Sequence, residues 1–157
     1  MNSVKNPDRL GQNAMVATAR IRSIANNMKN ALQTRGEIEA AIGAGITKFQ
    51  QEYLGRGPKD IRTYLLGDLV LVRLQGILTA AEQHLVKSMP AEKGRDLLKQ
   101  VRTHLIEVAR PALLSMIEAS TGITPVSLHH DISTVTGEEV IVVTLAAAPE
   151  VREPKRK

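Results

Sequence analysis

The dipeptide Gly67-Asp68 restricts this chain more than any other pair of residues. It separates two β-rich runs, Ile61 to Leu66 and Leu69 to Leu74, and a glycine in first place suits a two-residue turn whose leading residue takes φ > 0. A hairpin with so short a loop has one register, pairing 66 with 69, 65 with 70, 64 with 71, 63 with 72, 62 with 73 and 61 with 74. One face then carries Ile61, Thr63, Leu65, Val70, Val72 and Leu74, a core face. The other carries Tyr64, Leu66, Leu69 and Leu71, and ends in Arg62 opposite Arg73. Both faces are largely apolar, so the second is expected to meet another layer or another subunit, with these four residues as oligomer-interface candidates.

The arginine pair needs an explanation of its own. Like charges opposed across a ladder, with Cβ atoms about 5 Å apart, repel unless something negative neutralises them. The internal candidate is Asp131 on a later strand, since an arginine can grip both carboxylate oxygens in a fork. The external candidates are a bound anion or an acidic partner. Arg56, bracketed by glycines in Gly55-Arg56-Gly57-Pro58, is a further anion candidate, although this segment follows a helix C-terminus and is not a P-loop.

Around the hairpin the chain has room for one domain. Its 157 residues are 43% hydrophobic, enough for a core, and contain no cysteine, which removes disulfides, thiolate zinc sites and thiol nucleophiles together. No apolar run approaches the roughly 18 residues of a membrane span, and the charged N-terminus does not read as a signal peptide, so a cytoplasmic protein is expected. The net charge of +5 belongs to the ends: residues 1 to 35 hold six basic side chains against Asp8, and 147 to 157 hold four against two acidic, leaving 36 to 146 at −2. With one Phe, two Tyr and no Trp, the middle lacks the stacking platform of an RNA-binding sheet. Nucleic-acid binding would rest on the basic N-terminal arm alone.

Residues 1 to 12 lack periodicity and read as disordered. From about Ala14 to Gln33, Ile21, Ile24, Met28 and Leu32 follow helical spacing, giving an amphipathic helix suited to partner or self packing more than to a membrane surface. The folded domain is expected over 36 to 146, between this basic extension of 1 to 35 and a disordered basic tail of 147 to 157. Glu37 to Leu54 reads as a helix burying Ile38, Ala41, Ile42, Ile46, Phe49 and Tyr53, with Gly43 and Gly45 either admitting a close neighbour or costing stability. Thr79-Ala80-Ala81-Glu82 has capping-box spacing for a short helix ending near Pro90. A longer helix follows from about Gly94 to Ser120, with a stripe including Leu97, Leu98, Val101, Leu105, Val108, Ala109 and Leu113, and Pro111 should kink or divide it. Two strands close the domain: Thr124 to Ser133, with Val126, Leu128, His130 and Ile132 on one face, and Glu138 to Leu145, apolar on both faces and suited to a sheet interior. The fold expected is α+β: two hairpins in a four-stranded, mainly antiparallel sheet with helices on one face, plus the N-terminal helical extension.

The segments LGRGPKDIRTYLLGDLVLVRLQGILTAAE, GRDLLKQVRTHLIEVARPALLSMIEASTG and SLHHDISTVTGEEVIVVTL together resemble the MpsC-like domain family, a small bacterial domain of otherwise unknown function. The resemblance covers roughly Gly36 to Leu145. Its most specific pieces are GRGP before the hairpin, the arginines at 62 and 73, and DIST-x-TGE at 131 to 138. The family takes its name from a component linked to a sodium-translocating, membrane-potential-generating system. It implies a soluble accessory protein associated with ion or inorganic-carbon transport, with a membrane transport protein as a partner, and supplies no catalytic residue.

The chemistry-bearing residues point the same way. Ser127, His129 and Asp131 carry the letters of a triad, but positions i, i+2 and i+4 of one strand are spread over about 13 Å and do not converge. His129 and Asp131 could supply two corners of a metal site, yet His84 and His104 lie on helices without ligand spacing. They are ion-pair candidates instead. The expectation is therefore a non-enzymatic accessory or regulatory domain without cofactor or metal, working through protein contacts as a homo-oligomer. The alternatives are nucleic-acid binding by the basic arm and a small-anion or nucleotide sensor centred on Arg56, Arg62 and Arg73.

Overall fold

The computed structural model describes the backbone of residues 7–155 and the side chains of 12, 14–24 and 31–155. The described chain forms two compact units, one running to Thr34 and resuming at Glu150, the other spanning Arg35–Pro149. In the first, helix α1 covers Pro7–Ala31. It starts ahead of the amphipathic pattern and takes in residues 7–12, expected to be disordered; residues 1–6 lie outside the described residues, as does the Met28 side chain. Ile21 and Ile24, on its apolar stripe, are exposed. From Glu150 to Lys155 the chain has no regular structure, but it is held to the end of α1: the Arg152 backbone N–H donates to the Gln33 carbonyl at 3.0 Å and its Nε to that of Leu32 at 2.8 Å.

The second unit runs α2 (Arg35–Leu54), β1 (Asp60–Leu66), β2 (Leu69–Gln75), α3 (Ala80–Ser88), α4 (Ala91–Thr121), β3 (Pro125–Ile132) and β4 (Glu139–Leu145). The strands form one sheet in the order β1-β2-β4-β3, every neighbouring pair antiparallel. Helix α2 packs on β1, α4 on β3, and α3 on α4. This is the expected α+β layout, and β4 is the interior strand its two apolar faces called for.

The hairpin register is the one the two-residue loop dictates, from Leu66 opposite Leu69 to Ile61 opposite Leu74, with Gly67 at φ +64. Leu65, Val70, Val72 and Leu74 are buried beneath the helices, joined by Leu128, Ile132, Ile141, Val143 and Leu145 from the second hairpin. Val126 does not share that face. A register shift between Pro125 and Ser127 leaves it as an unpaired extra residue pointing outward, 67% exposed, because a bulge reverses the alternation on one side of itself.

Helix α4 runs unbroken through Pro111, so of the kink or division expected there the division does not occur. Its buried line is Leu98, Arg102, Ile106, Ala109, Leu113 and Ile117, whereas Leu97, Val101 and Val108 are exposed. The apolar letters had placed the stripe too far round the helix, because the true stripe passes through a charged residue. In α2 the same displacement puts Gln50 inside and leaves Tyr53 exposed, its ring 4.9 Å from that of Phe49.

The two glycines of α2 admit close neighbours, but side chains and not a backbone: a Cβ on Gly43 would lie 3.3 Å from Thr63 Oγ1, and one on Gly45 only 2.5 Å from Met116 Sδ of α4. Alanine at 45 would ordinarily strengthen a helix by about 1 kcal/mol, but overpacking costs about 1–3 kcal/mol. Gly45→Ala is therefore expected to lower the urea midpoint in the native background and to raise it in a Met116→Ala background. Equal effects of Gly45→Ala in the two backgrounds would show that the helices do not depend on this contact.

Candidate functional site

Polar side chains gather in three places within the Arg35–Pro149 unit, and they differ in access to solvent. The deepest is centred on Arg102, 1% exposed, on the inward face of α4. Its Nε and Nη2 each donate at 2.9 Å to the two oxygens of Glu82 on α3, a bidentate fork, and Nη2 also donates to the Ile77 carbonyl at 3.2 Å. On the other side Nη1 lies 3.6 Å from Oε2 of Glu139, which is wholly buried at the start of β4. Glu139 accepts in turn from Gln50 Nε2 of α2 at 2.8 Å and meets His130 Nε2 of β3 at 2.5 Å. One cluster thus ties together α2, α3, α4, β3 and β4.

Glu82 has a second task. Its Oε2 accepts from the Thr79 backbone N–H at 2.7 Å while its own N–H donates to Thr79 Oγ1 at 3.2 Å, the reciprocal cap expected from the sequence. Burial works against the charge of this carboxylate, but the Arg102 fork and the Thr79 contacts outweigh it and hold Glu82 below the ordinary glutamate range.

The second place is the helix-free face of the sheet. Three rows of side chains cross it: Arg62, Arg73, Val140 and Asp131; then Tyr64, Leu71, Val142 and His129; then Leu66, Leu69, Thr144 and Ser127. Tyr64 is 39% and Leu66 54% exposed, and no other element of this unit packs there. The arginine pair is not bridged by Asp131, which shares its row but stands beyond Val140 on the far strand. Arg73 instead pairs with Glu138 at 2.6 Å, Arg62 with Asp60 at 3.4 Å, and Asp131 with Lys99 at 2.9 Å. The Lys99 ammonium, helped by the Ile132 N–H, holds the Asp131 carboxyl below its ordinary range. His129 is exposed on this face, in line with Ser127 and Asp131 and not converging with them. Among the described residues no group of three or more His, Asp or Glu could hold a metal ion.

The third place is a cavity of about 340 Å³ where the GRGP segment, the turn at Gly76, α3 and the β3–β4 turn meet. Arg56 lines it, with Nη1 donating to the Leu78 carbonyl at 3.1 Å. The three arginines considered together from the sequence therefore serve different places, Arg56 here and Arg62 and Arg73 on the open face. Arg102 and Glu139 escaped the sequence reading. The available signal was an arginine four residues after Leu98 and four before Ile106, within a buried stripe.

The arrangement defines a small α+β domain whose sheet is roofed on one face and bare on the other. Residues 34–147 match the family described as the Na+-translocating membrane potential-generating system (MpsC), and the chain belongs to that family. A curated relative, an uncharacterized protein, YbcI, of Bacillus subtilis (strain 168), is 38% identical over 113 residues, covering 72% of this chain and 89% of its own. No solved structure matches the chain. Among the described residues no helix is long and apolar enough to cross a membrane.

The Arg102 cluster makes stability depend on pH with a definite sign. Glu82 is charged more readily in the folded chain than in the unfolded one, so its contribution is complete above the unfolded glutamate range and disappears as pH falls through its lower folded value. Urea unfolding at about pH 7 and about pH 3 should show a loss of stability in acid that is smaller in Glu82→Gln. Arg102→Met, which strands the buried Glu139 and the half-buried Glu82, is expected to cost about 3–5 kcal/mol at neutral pH; a cost below about 1 kcal/mol would show that water reaches the site.

Proposed function

We propose that this protein is a non-enzymatic accessory or regulatory component of a membrane-potential-generating, ion-translocating system, working through protein contacts, and that it self-associates through the open face of its sheet. The family description supports the physiological setting. A role without catalysis is supported by the state of its acid–base groups. Arg102, Glu139 and His130 are sealed in the core with one another, and Ser127, His129 and Asp131 stand in a line.

The observation that carries self-association is the charge order of the first row. It runs from Arg62 and Arg73 on β1 and β2 to Asp131 on β3, with apolar residues between and beside them. A two-fold axis along the strands, midway between two such sheets, lays β1 of one copy over β3 of the other, row upon row. Arg62 then stands over Asp131 of the other copy, Tyr64 over His129 and Leu71 over Val142. Aligned sheets about 10 Å apart let these side chains interdigitate. The pairs Arg62 and Asp131 make within the chain are exposed and individually worth little, so exchanging them for partners across the interface costs little.

Light scattering should give the mass of a dimer for the full chain and of a folded monomer for Leu69→Lys with Leu71→Lys. Arg62→Asp and Asp131→Arg should each weaken association by about tenfold or more, and their combination should restore it, because the charge order is reversed but still complementary. Ile21→Glu with Ile24→Glu on α1 should leave the mass unchanged. A native monomer at about 50 μM, or dissociation by the α1 changes alone, rejects the sheet interface.

A further inference from the structure

We infer that the cavity beside Arg56 is a binding site for a phosphate-bearing small molecule, with Arg56, Lys59 and Lys87 holding the anionic group. All three cations line one concavity of about 340 Å³, and no acidic side chain lines it. Among the described residues none of the three makes an ion pair, while most other basic side chains of this unit have a carboxylate within reach. The unit's sequence from 36 to 146 is net acidic, so the concentration of positive charge here is local and not a share of a general excess.

The cations are also positioned. Arg56 is fixed through Nη1 on the Leu78 carbonyl, which leaves the rest of its guanidinium fork for a ligand. The stem of Lys59 lies across Gly76, where a Cβ would approach its Cγ to 2.6 Å and φ is +66, so only glycine lets the lysine lie there. Thr134 adds a hydroxyl with no protein partner among the described residues, on the β3–β4 turn that forms the opposite wall. A phosphate monoester or diphosphate carries two to three negative charges, matching three cations and a hydroxyl donor. The volume exceeds what a bare phosphate fills, and Leu78 and Val86 supply apolar surface for an organic part.

The wall bearing Arg56 is also wired to the core. Successive carbonyls take the two arginines, Ile77 from Arg102 and Leu78 from Arg56, immediately before the Thr79 cap that Glu82 completes. Occupancy of the cavity therefore bears on the segment that links the first hairpin to α3. The inference does not rest on self-association through the sheet.

Isothermal titration at about 150 mM salt, where long-range attraction to the basic tails is screened, separates the possibilities. Pyrophosphate, ADP, adenosine and succinate are titrated into the full chain. Saturable binding of pyrophosphate or ADP is expected, with none of adenosine and none of succinate. Tighter binding of ADP than of pyrophosphate identifies an organic phosphate; the reverse identifies an inorganic one. Lys59→Gln with Lys87→Gln, both exposed positions, should weaken binding at least about tenfold without lowering the melting temperature. Arg20→Gln with Arg22→Gln on α1 should leave it unchanged. The inference is overturned if neither phosphate binds saturably, if succinate binds as well as they do, if the lysine changes have no effect, or if the α1 changes abolish binding.

Discussion

The buried guanidinium of Arg102 is the interaction on which the arrangement of the Arg35–Pro149 unit depends. A charge that far from water is tolerable only with opposite charge beside it, and here two carboxylates from different elements supply it, Glu82 through a hydrogen-bonded fork and Glu139 as a charge 3.6 Å from Nη1, which makes no hydrogen bond. Glu82 can do so only if α3 is capped at Thr79, and Glu139 only if β4 enters the sheet in its observed register, directly opposite Leu74 and Ile132. Gln50 and His130 complete the second carboxylate and bring in α2 and β3. An apolar core of the same volume would bind the helices to the sheet as firmly, but it would tolerate sliding. The polar contacts do not, because a shift of one residue leaves a charge without its partner.

That core accounts for the contrast between the two faces of the sheet. The helices converge on one face, where the cluster holds them, and nothing in the same unit reaches the other. A sheet face lined by Leu66, Leu69, Leu71, Val140 and Val142 is poorly suited to water, while the charges along its first row limit which surfaces can cover it in register.

The cavity at the sheet's end collects segments far apart in sequence. GRGP and the DIST-x-TGE turn, two of the three most specific pieces of the resemblance, form its walls together with the Gly76 turn. Their glycines have separate jobs there: Gly76 gives way to a lysine stem, and Gly137, buried at φ +72, closes the β3–β4 turn against Leu78. None of these roles requires the open face.

Local rules in the sequence determined the hairpin at Gly67-Asp68, the Thr79–Glu82 cap, the interior place of β4 and the α+β class. Each of these follows from φ preferences, capping chemistry or side-chain alternation within a few residues. Tertiary structure alone decided that Arg102 and Glu139 belong in the core, that Val126 bulges outward, that Pro111 sits within a continuous helix, and that Asp131 answers Lys99 and not the arginine pair. It also decided that Lys59 and Lys87 join Arg56 around one cavity. A charged residue in an apolar stripe is read as surface until its partner is known, and the partners of Arg102 lie 20 and 37 residues away along the chain. Which charge meets which is set by the distances that folding creates, and spacing along the chain carries no measure of them.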